Sequence, residues 1–222
     1  MWKKLESFNK GDKIMVNYIE DKVCYMGGHL LNQAMVDYRD KQHKQVEGIV
    51  GVTPYSPHKD KSINDKANAE QTKLAERILN NDFKAMQESD IFVFDILNEG
   101  LGTIAELGIL LGMKHQAQET INHMDDNGVT YFNYTSNKFE TRLSVEEELT
   151  IEKLENIVNK PVLIYCSDIR QGHGKGYSDP DRAEFSTNQF IYGMILSLTN
   201  GKGFISWEEV LNRLEKLGEK NG

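Results

Sequence analysis

Apolar residues fall into short runs that alternate with longer amphipathic segments, and this alternation predicts the fold. The short runs, typical of buried strands, span residues 23–26, 48–53, 91–95 and 161–166, and Pro54 and Pro57 are expected to end the second of them. The amphipathic segments, typical of helices with one buried face, span residues 30–45, 67–87, 103–116, 143–158, 183–198 and 206–216, and Ser206 is expected to cap the last of them. Strands that alternate with helices predict a parallel sheet flanked by helices, in a single flavodoxin-like or Rossmann-like α/β domain.

Two segments lie outside this alternation. Residues 1–20 are an irregular polar leader, so we expect the domain to occupy residues 21–222. Residues 117–160 are polar and acidic at first, and we interpret them as an insertion before the fourth strand, with a hairpin strand near 129–134. A glycine-rich loop, 168–182, follows the fourth strand and is long enough to be functional.

Composition narrows the class of protein. The formal net charge of −8 argues against a nucleic-acid surface, which requires a basic footprint. No apolar run approaches the roughly 20 residues of a membrane span, and the polar leader lacks the apolar core of a secretory signal. We therefore expect a cytoplasmic protein in which Cys24 and Cys166 are buried thiols; a disulfide would require neighbouring strands. The six histidines show no paired metal-ligand spacing, so no metal site is expected.

Candidate chemistry is concentrated between residues 80 and 108, where a strand, a glycine loop and a helix succeed one another. This order places Asp82, Asp95 and Glu106 near the carboxyl end of one strand, the edge at which open α/β sheets bind ligands. A carboxylate near a helix N-terminus at that edge suits a nucleophile that must stay ionised. Spacing alone equally allows solvated helix-end acids, and Asp95 is expected to cap its loop.

Several motifs occur in the order and spacing of the nucleoside 2-deoxyribosyltransferase family, which the chain resembles over roughly residues 22–115 and 161–216. They are VCYMGGHL in the first strand and turn, Asp82 ahead of Ser89-Asp90, the loop GLGTIAELG, Asp168 with Arg170, and Asn188 with Phe190 and Gly193. The resemblance implies an enzyme that exchanges the base of a 2′-deoxynucleoside for a free base. It also implies a homo-oligomer with shared active sites and no metal or redox cofactor.

By position in those motifs, the resemblance assigns Glu106 as the nucleophile that attacks the anomeric carbon. It assigns Asp82 to contact the base and to move its proton. Both roles fit the chemistry, because an oxocarbenium-like sugar needs a carboxylate to trap it and the leaving base needs an acid.

The resemblance also implies substrate-binding residues around these two acids, and Tyr25, Asp95 and Glu99 are included among them. Gly27, Gly28 and Gly102 would let the nucleoside approach the backbone, and His58 lies in a loop that often holds a base-binding residue. Asn188 would reach the site of a neighbouring subunit, near the 5′-hydroxyl and the nucleophile.

Two positions depart from the family pattern. The family usually has aspartate six residues before the nucleophile, where this chain has Gly100, and we expect the adjacent Glu99 to substitute for it. Cys24 holds the place of a usual first-strand tyrosine, and Tyr25 comes next. Both changes bear on base choice, and the sequence leaves purine and pyrimidine substrates equally open.

Two alternative functions remain open from the sequence. One is a 2′-deoxynucleoside 5′-monophosphate N-glycosidase, which needs a phosphate pocket; Lys59, Arg170 and Lys175 are its candidate residues. The other is a non-catalytic nucleotide-binding protein, for which the altered position Gly100 would be the sign.

Overall fold

Four parallel strands form the central sheet of this computed structural model, which describes residues 21–60, 72–169 and 187–219. The strands are β1 (Lys22–Gly27), β2 (Val52–Tyr55), β3 (Ile91–Asp95) and β6 (Val162–Tyr165), in the order β2-β1-β3-β6. A separate antiparallel hairpin contains β4 (Val129–Asn133) and β5 (Lys138–Arg142). The helices are α1 (Gln33–Glu47), α2 (Leu74–Glu88), α3 (Leu101–Asn127), α4 (Val145–Val158), α5 (Gln189–Leu198) and α6 (Trp207–Glu219).

The strand order confirms the predicted fold class, because it is the order of a flavodoxin-like sheet. From β1 the chain passes through α1 to β2 on one side, whereas from β3 it passes through α3 towards β6 on the other. The strand order therefore reverses between β1 and β3. A crevice opens at such a reversal, outside the carboxyl ends of the two strands.

Helices cover both faces of the sheet and create two apolar cores. On one face, α1 and α6 pack against alternate residues of the strands; this core contains the strand residues Cys24, Met26, Ile91, Val93 and Leu163 and the helix residues Val46, Val210 and Leu214. On the other face, α2, α3 and α5 pack against the intervening residues; this core contains the strand residues Tyr25, Phe92, Phe94 and Ile164 and the helix residues Met86, Leu107, Leu110, Ile195 and Leu198. Strand β3 lies between these cores, so all five of its residues are buried.

The second strand differs from its prediction at residues 48–53. It begins at Val52 and continues through Pro54 to Tyr55. The proline was expected to stop the strand, but β2 is at the edge of the sheet and pairs only with β1. On an edge strand one side of the backbone has no ladder to join, so the missing N–H of proline is tolerated.

Helix α3 is longer than the predicted span 103–116, because its polar continuation stays helical to Asn127. Ala117 and Ile121 remain buried on this continuation, and α4 packs along the helix. The segment 117–160 therefore consists of the end of α3, the expected hairpin and α4. No described helix, α3 included, has both the length and the apolarity that crossing a membrane requires.

The remaining predicted segments agree in part. Cys24 lies in β1 and Cys166 comes directly after β6, with β3 between these strands, and both are buried thiols rather than a disulfide. The leader, most of the loop 168–182, and the predicted helix starts at residues 67 and 183 lie outside the described residues. Ser206 caps α6 as expected by accepting a hydrogen bond from the Glu209 backbone N–H, at 3.2 Å.

We expect Gly218→Ala to destabilise the protein by about 2 kcal/mol, because α6 approaches the backbone that leads into β2. A Cβ at Gly218 would overlap the carbonyl oxygen of Val50, which only a shift of the helix can relieve. The matched control is Gly112→Ala on α3, where an added Cβ meets nothing within 4 Å. That change should stabilise the helix by roughly 0.5–1 kcal/mol. Urea unfolding measures both, and equal effects would contradict the close approach.

Candidate active site

A cavity of about 370 Å³ opens at the carboxyl edge of the sheet, where the strand order reverses between β1 and β3. Its size lies within the range of roughly 300–1,000 Å³ typical of small-molecule sites. The lining brings together most of the residues predicted for the site: Gly27, Gly28, His58, Asp82, Glu99, Gly102 and Glu106.

Glu106 lines this cavity from α3. Its Oε1 accepts a hydrogen bond of 2.8 Å from the hydroxyl of Tyr25, and its Oε2 is buried without a hydrogen-bond partner among the described residues. Burial raises the pKa of Glu106 to about 7; the Tyr25 hydrogen bond opposes this rise and the charge of Asp82 adds to it. Near neutral pH, Glu106 therefore exists in both protonation states.

The sequence predicted that a position near a helix N-terminus would keep Glu106 ionised. The start of α3 explains why the helix does not do so. The helix begins at Leu101, two residues earlier than predicted, so Glu106 lies in its second turn. The helix dipole acts mainly within the first turn, and here the loss of solvent outweighs it.

Asp82 is the second acid of the cavity and projects from α2. Burial raises the pKa of Asp82 to about 6, and the charge of Asp60 adds to the rise. Its neighbour Tyr55 stacks on Tyr25 with ring centroids 5.7 Å apart. Burial raises the pKa of Tyr55 to about 12, with Asp82 contributing. The two acids thus share an aromatic, partly dehydrated environment.

Gly27 and Gly28 are required by the protein's own packing. A Cβ at Gly27 would lie 2.5 Å from Phe94 Cδ1 and 2.8 Å from Glu106 Oε2. A Cβ at Gly28 would lie 2.5 Å from Arg39 Nε. These glycines therefore let side chains from both faces of the sheet meet at the cavity. Gly102 differs, because a Cβ there meets nothing within 4 Å.

Asp95 was included among the substrate-binding residues, and the structure corrects this assignment. Its carboxylate is fully buried beneath the cavity, where Oδ2 pairs with the guanidinium of Arg39. Oδ1 accepts a hydrogen bond of 2.8 Å from the backbone N–H of Ser167. Asp95 therefore ties β3 to the segment after β6, consistent with the expected capping role.

The other predicted binding residues take different positions. Tyr25 lies behind Glu106 and contacts the carboxylate rather than the cavity. His58 lines the cavity with its Nε2 held 2.8 Å from Asp40 Oδ1, and Glu99 lines it as an exposed side chain. Asn188 is exposed at the N-cap of α5, where its Oδ1 accepts from Phe190 N, and it does not line this chain's cavity.

The sequence prediction missed a buried polar group beside the cavity, formed by Arg39, Gln42 and Tyr165. Arg39 Nη1 donates to Gln42 Oε1 at 2.7 Å, and the Tyr165 hydroxyl donates to the same oxygen at 2.8 Å. The buried residues of α1 are Arg39, Gln42 and Val46, at the spacing of one helix face. The sequence signal for this group was therefore the presence of two polar residues, Arg39 and Gln42, on the same helical face as Val46. No group of three metal-ligating side chains occurs within the described ranges.

Comparison with models of known protein families finds no match, and neither does comparison with curated proteins. Among solved structures, the chain is similar to a conserved protein from Enterococcus faecalis V583, with a TM-score of 0.53 and 17% identity over 89% of this chain and 99% of that one. It is also similar to a 2-deoxyribosyltransferase from Bacillus psychrosaccharolyticus, with a TM-score of 0.40 and 13% identity over 86% of this chain and 90% of that one. The first likeness supports the α/β fold; the second is too distant to bear on function.

We expect Glu106→Gln to stabilise the protein increasingly as pH rises. Folding raises the pKa of Glu106 from 4.5 to about 7, so the folded state binds this proton more tightly than the unfolded state. The stability that the proton contributes is present below pH 4.5 and is lost as pH rises through 7. The variant, which has no such proton to lose, should gain about 2 kcal/mol over wild type between pH 5 and pH 8.

Urea unfolding at pH 5, 6.5 and 8 measures this difference. Glu119→Gln, an exposed position on the same helix, serves as the control and should show no dependence on pH. Parallel stability curves for wild type and Glu106→Gln would show that Glu106 is ionised throughout.

Proposed function

We propose that the protein is a nucleoside 2-deoxyribosyltransferase that exchanges the base of a 2′-deoxynucleoside through a covalent deoxyribosyl-glutamate. The observation that carries this proposal is the pairing of Glu106 and Asp82 in one cavity at the reversal of strand order. These are also the two acids to which the resemblance to this family assigns the roles of nucleophile and proton donor. The substrates are a deoxynucleoside and a free base, and the reaction requires no cofactor.

In the first half-reaction, a Glu106 carboxylate oxygen bonds to C1′ as the bond from C1′ to the base nitrogen breaks. The bonding electrons pass to the base, which takes a proton from Asp82. In the second half, the incoming base gives a proton to Asp82, attacks C1′ and releases Glu106. The hydrogen bond from Tyr25 to Glu106 stabilises the carboxylate each time it is regenerated.

Both acids titrate near neutral pH. The pKa is about 7 for Glu106 and about 6 for Asp82, so the pair titrates as one coupled system. Because the pKa of Glu106 is the higher, the proton that the pair shares resides mainly on Glu106 in the free protein, and the reactive form, with Glu106 ionised and Asp82 protonated, is the minor one. A sugar that develops positive charge against Glu106 favours that form.

We also propose that the active enzyme is a homo-oligomer in which Asn188 enters a neighbouring subunit's site. Support comes from exposed apolar side chains that one chain leaves uncovered. Phe190, beside Asn188, is 78% exposed, and Leu31 and Leu101 at the cavity are 69% and 76% exposed. Helix α5 buries Ile195 and Leu198 in its own core, so the inner face of α5 is already covered.

Incubation with deoxyinosine plus adenine should yield deoxyadenosine and hypoxanthine by chromatography, and Glu106→Ala should lower the rate by at least about 1,000-fold. Glu119→Ala, exposed on the same helix, should leave the rate unchanged. A 2-fluoro-arabinosyl nucleoside should leave an adduct that mass spectrometry maps to Glu106.

Incubations with deoxyinosine alone and with dIMP test the alternative functions. Faster release of hypoxanthine from dIMP would indicate the N-glycosidase, and no turnover in any arm would indicate a non-catalytic protein.

Mixed variants test the shared site. Glu106→Ala and Asn188→Ala subunits should each be inactive alone and should recover part of the activity when combined, because some sites then hold both residues. Light scattering should give a multiple of 25.4 kDa. A monomer with full activity would refute the role of Asn188.

A further inference from the structure

The cavity contains buried polar atoms of opposite character on its two sides. On the α1 side, Arg39 Nε and Gln42 Nε2 are N–H donors without a hydrogen-bond partner among the described residues. On the α2 and α3 side, Asp82 Oδ1 and Glu106 Oε2 are acceptors that also lack a hydrogen-bond partner among the described residues. His29 Nδ1, on the same lining, is a fifth such atom. Buried polar groups are normally paired, so five such atoms around one cavity indicate groups that a ligand completes.

The donors on the α1 side are fixed in place by their neighbours. Gln42 Oε1 accepts from both Arg39 Nη1 and the Tyr165 hydroxyl, which determines the orientation of the amide and directs Nε2 away from them. The Nη2 of Arg39 pairs with Asp95 and Nη1 donates to Gln42 and Tyr165, so among the described residues Nε is the guanidinium nitrogen without a partner. Both side chains are almost fully buried, with exposures of 5% for Arg39 and 1% for Gln42.

Strand order sets the sequence of these groups along the crevice. Asp82 influences Tyr55 at the end of β2, and Glu106 bonds to Tyr25 of the neighbouring strand β1. Arg39 reaches further across, to residues at the ends of β3 and β6. Asp82 and Glu106 thus belong to the α2 and α3 side of the crevice, and the guanidinium of Arg39 belongs to the α1 side, where it also lies against Gly28 directly after β1. A nucleoside with its base at Asp82 and C1′ at Glu106 would direct the far side of its sugar towards Arg39 and Gln42.

Charge determines what kind of group suits this end of the cavity. The positive charge of Arg39 is balanced by buried Asp95, and Lys59 Nζ lies 2.6 Å from Asp40 Oδ1. The lining also contains the carboxylates of Asp82, Glu99 and Glu106. Within the described residues, this arrangement presents donors without net positive charge. Such donors suit a neutral oxygen and oppose a dianionic phosphate.

We propose that Arg39 and Gln42 form a sugar-binding donor pair that holds the 5′-hydroxyl oxygen of the substrate and selects nucleosides over their 5′-monophosphates. This inference rests on the proposed function for the orientation of the ligand. A hydroxyl accepts two hydrogen bonds and donates one, so its proton stays available to Glu106 or to Asn188 of a neighbouring subunit.

Binding experiments with Gln42→Glu test the donor pair. The substitution keeps an acceptor for Arg39 and Tyr165 but removes the N–H groups. Calorimetry should show that the substitution weakens the binding of 2′-deoxyinosine by roughly tenfold, the effect of one lost hydrogen bond. Binding of 2′,5′-dideoxyinosine, which lacks the 5′-oxygen, should change less than twofold. Wild type should bind dIMP more weakly than 2′-deoxyinosine.

The matched control is Gln45→Glu, the same change one turn along α1. Gln45 is exposed and accepts a hydrogen bond from Trp207 Nε1 at 3.0 Å, which a glutamate preserves. Gln45→Glu should leave the binding of both nucleosides unchanged. Gln42→Met, of similar length and without N–H groups, replaces Gln42→Glu should the added carboxylate unfold the protein.

The outcomes separate this inference from the proposed function. Equal weakening of both nucleosides by the Gln42 variants, or tighter binding of dIMP than of 2′-deoxyinosine, would overturn the donor pair even if base exchange is observed. Selective weakening of 2′-deoxyinosine would support it even if no base is exchanged, and the transferase proposal would then fail alone.

Discussion

The buried ion pair between Arg39 and Asp95 is the constraint on which the carboxyl edge of the sheet depends. It joins α1 to the end of β3, and through Ser167 it reaches the segment after β6. Buried ion pairs are expensive to desolvate and are tolerated when further hydrogen bonds support both partners. Here Gln42 and Tyr165 accept from Arg39, and the Ser167 backbone N–H donates to Asp95. The pair fixes three elements around one crevice, so side chains from different parts of the chain meet there with defined geometry.

The same burial that gives the site its geometry makes its acids unfavourable to ionise. Glu106 Oε2 lies close to Gly27, where an added Cβ would be 2.8 Å from it, and Oε1 accepts a hydrogen bond from the Tyr25 hydroxyl. Its raised pKa means that folding opposes the charged form that a nucleophile needs. Structural stability would be higher with an uncharged residue at this position. That conflict is characteristic of residues selected for chemistry.

Local patterns in the sequence predicted the elements and the two acids, but they failed where tertiary contacts decide. Hydrophobic periodicity was enough to identify the strands and the fold class, and motif spacing was enough to bring Asp82 to the same cavity as Glu106. Pro54 misled the strand prediction because only the sheet order reveals that β2 is an edge. Arg39 and Gln42 were missed because their partners, Asp95 and Tyr165, lie 56 and 123 residues away in the chain. The polar residues on the buried stripe of α1 indicate buried pairing, but no local pattern identifies such distant partners.

Gly100, where the resembling family usually has aspartate, fits the same electrostatic logic. Gly100 is the N-cap residue of α3 and lines the cavity. A Cβ at this position would lie 3.2 Å from the carbonyl oxygen of Leu97 and 3.5 Å from His29 Cβ. An aspartate would add a third carboxylate close to two whose pKa values are already raised, and would make Glu106 still harder to ionise. Glycine avoids this repulsion and leaves space beside His29. The departure therefore leaves in place the two acids that the proposed reaction requires.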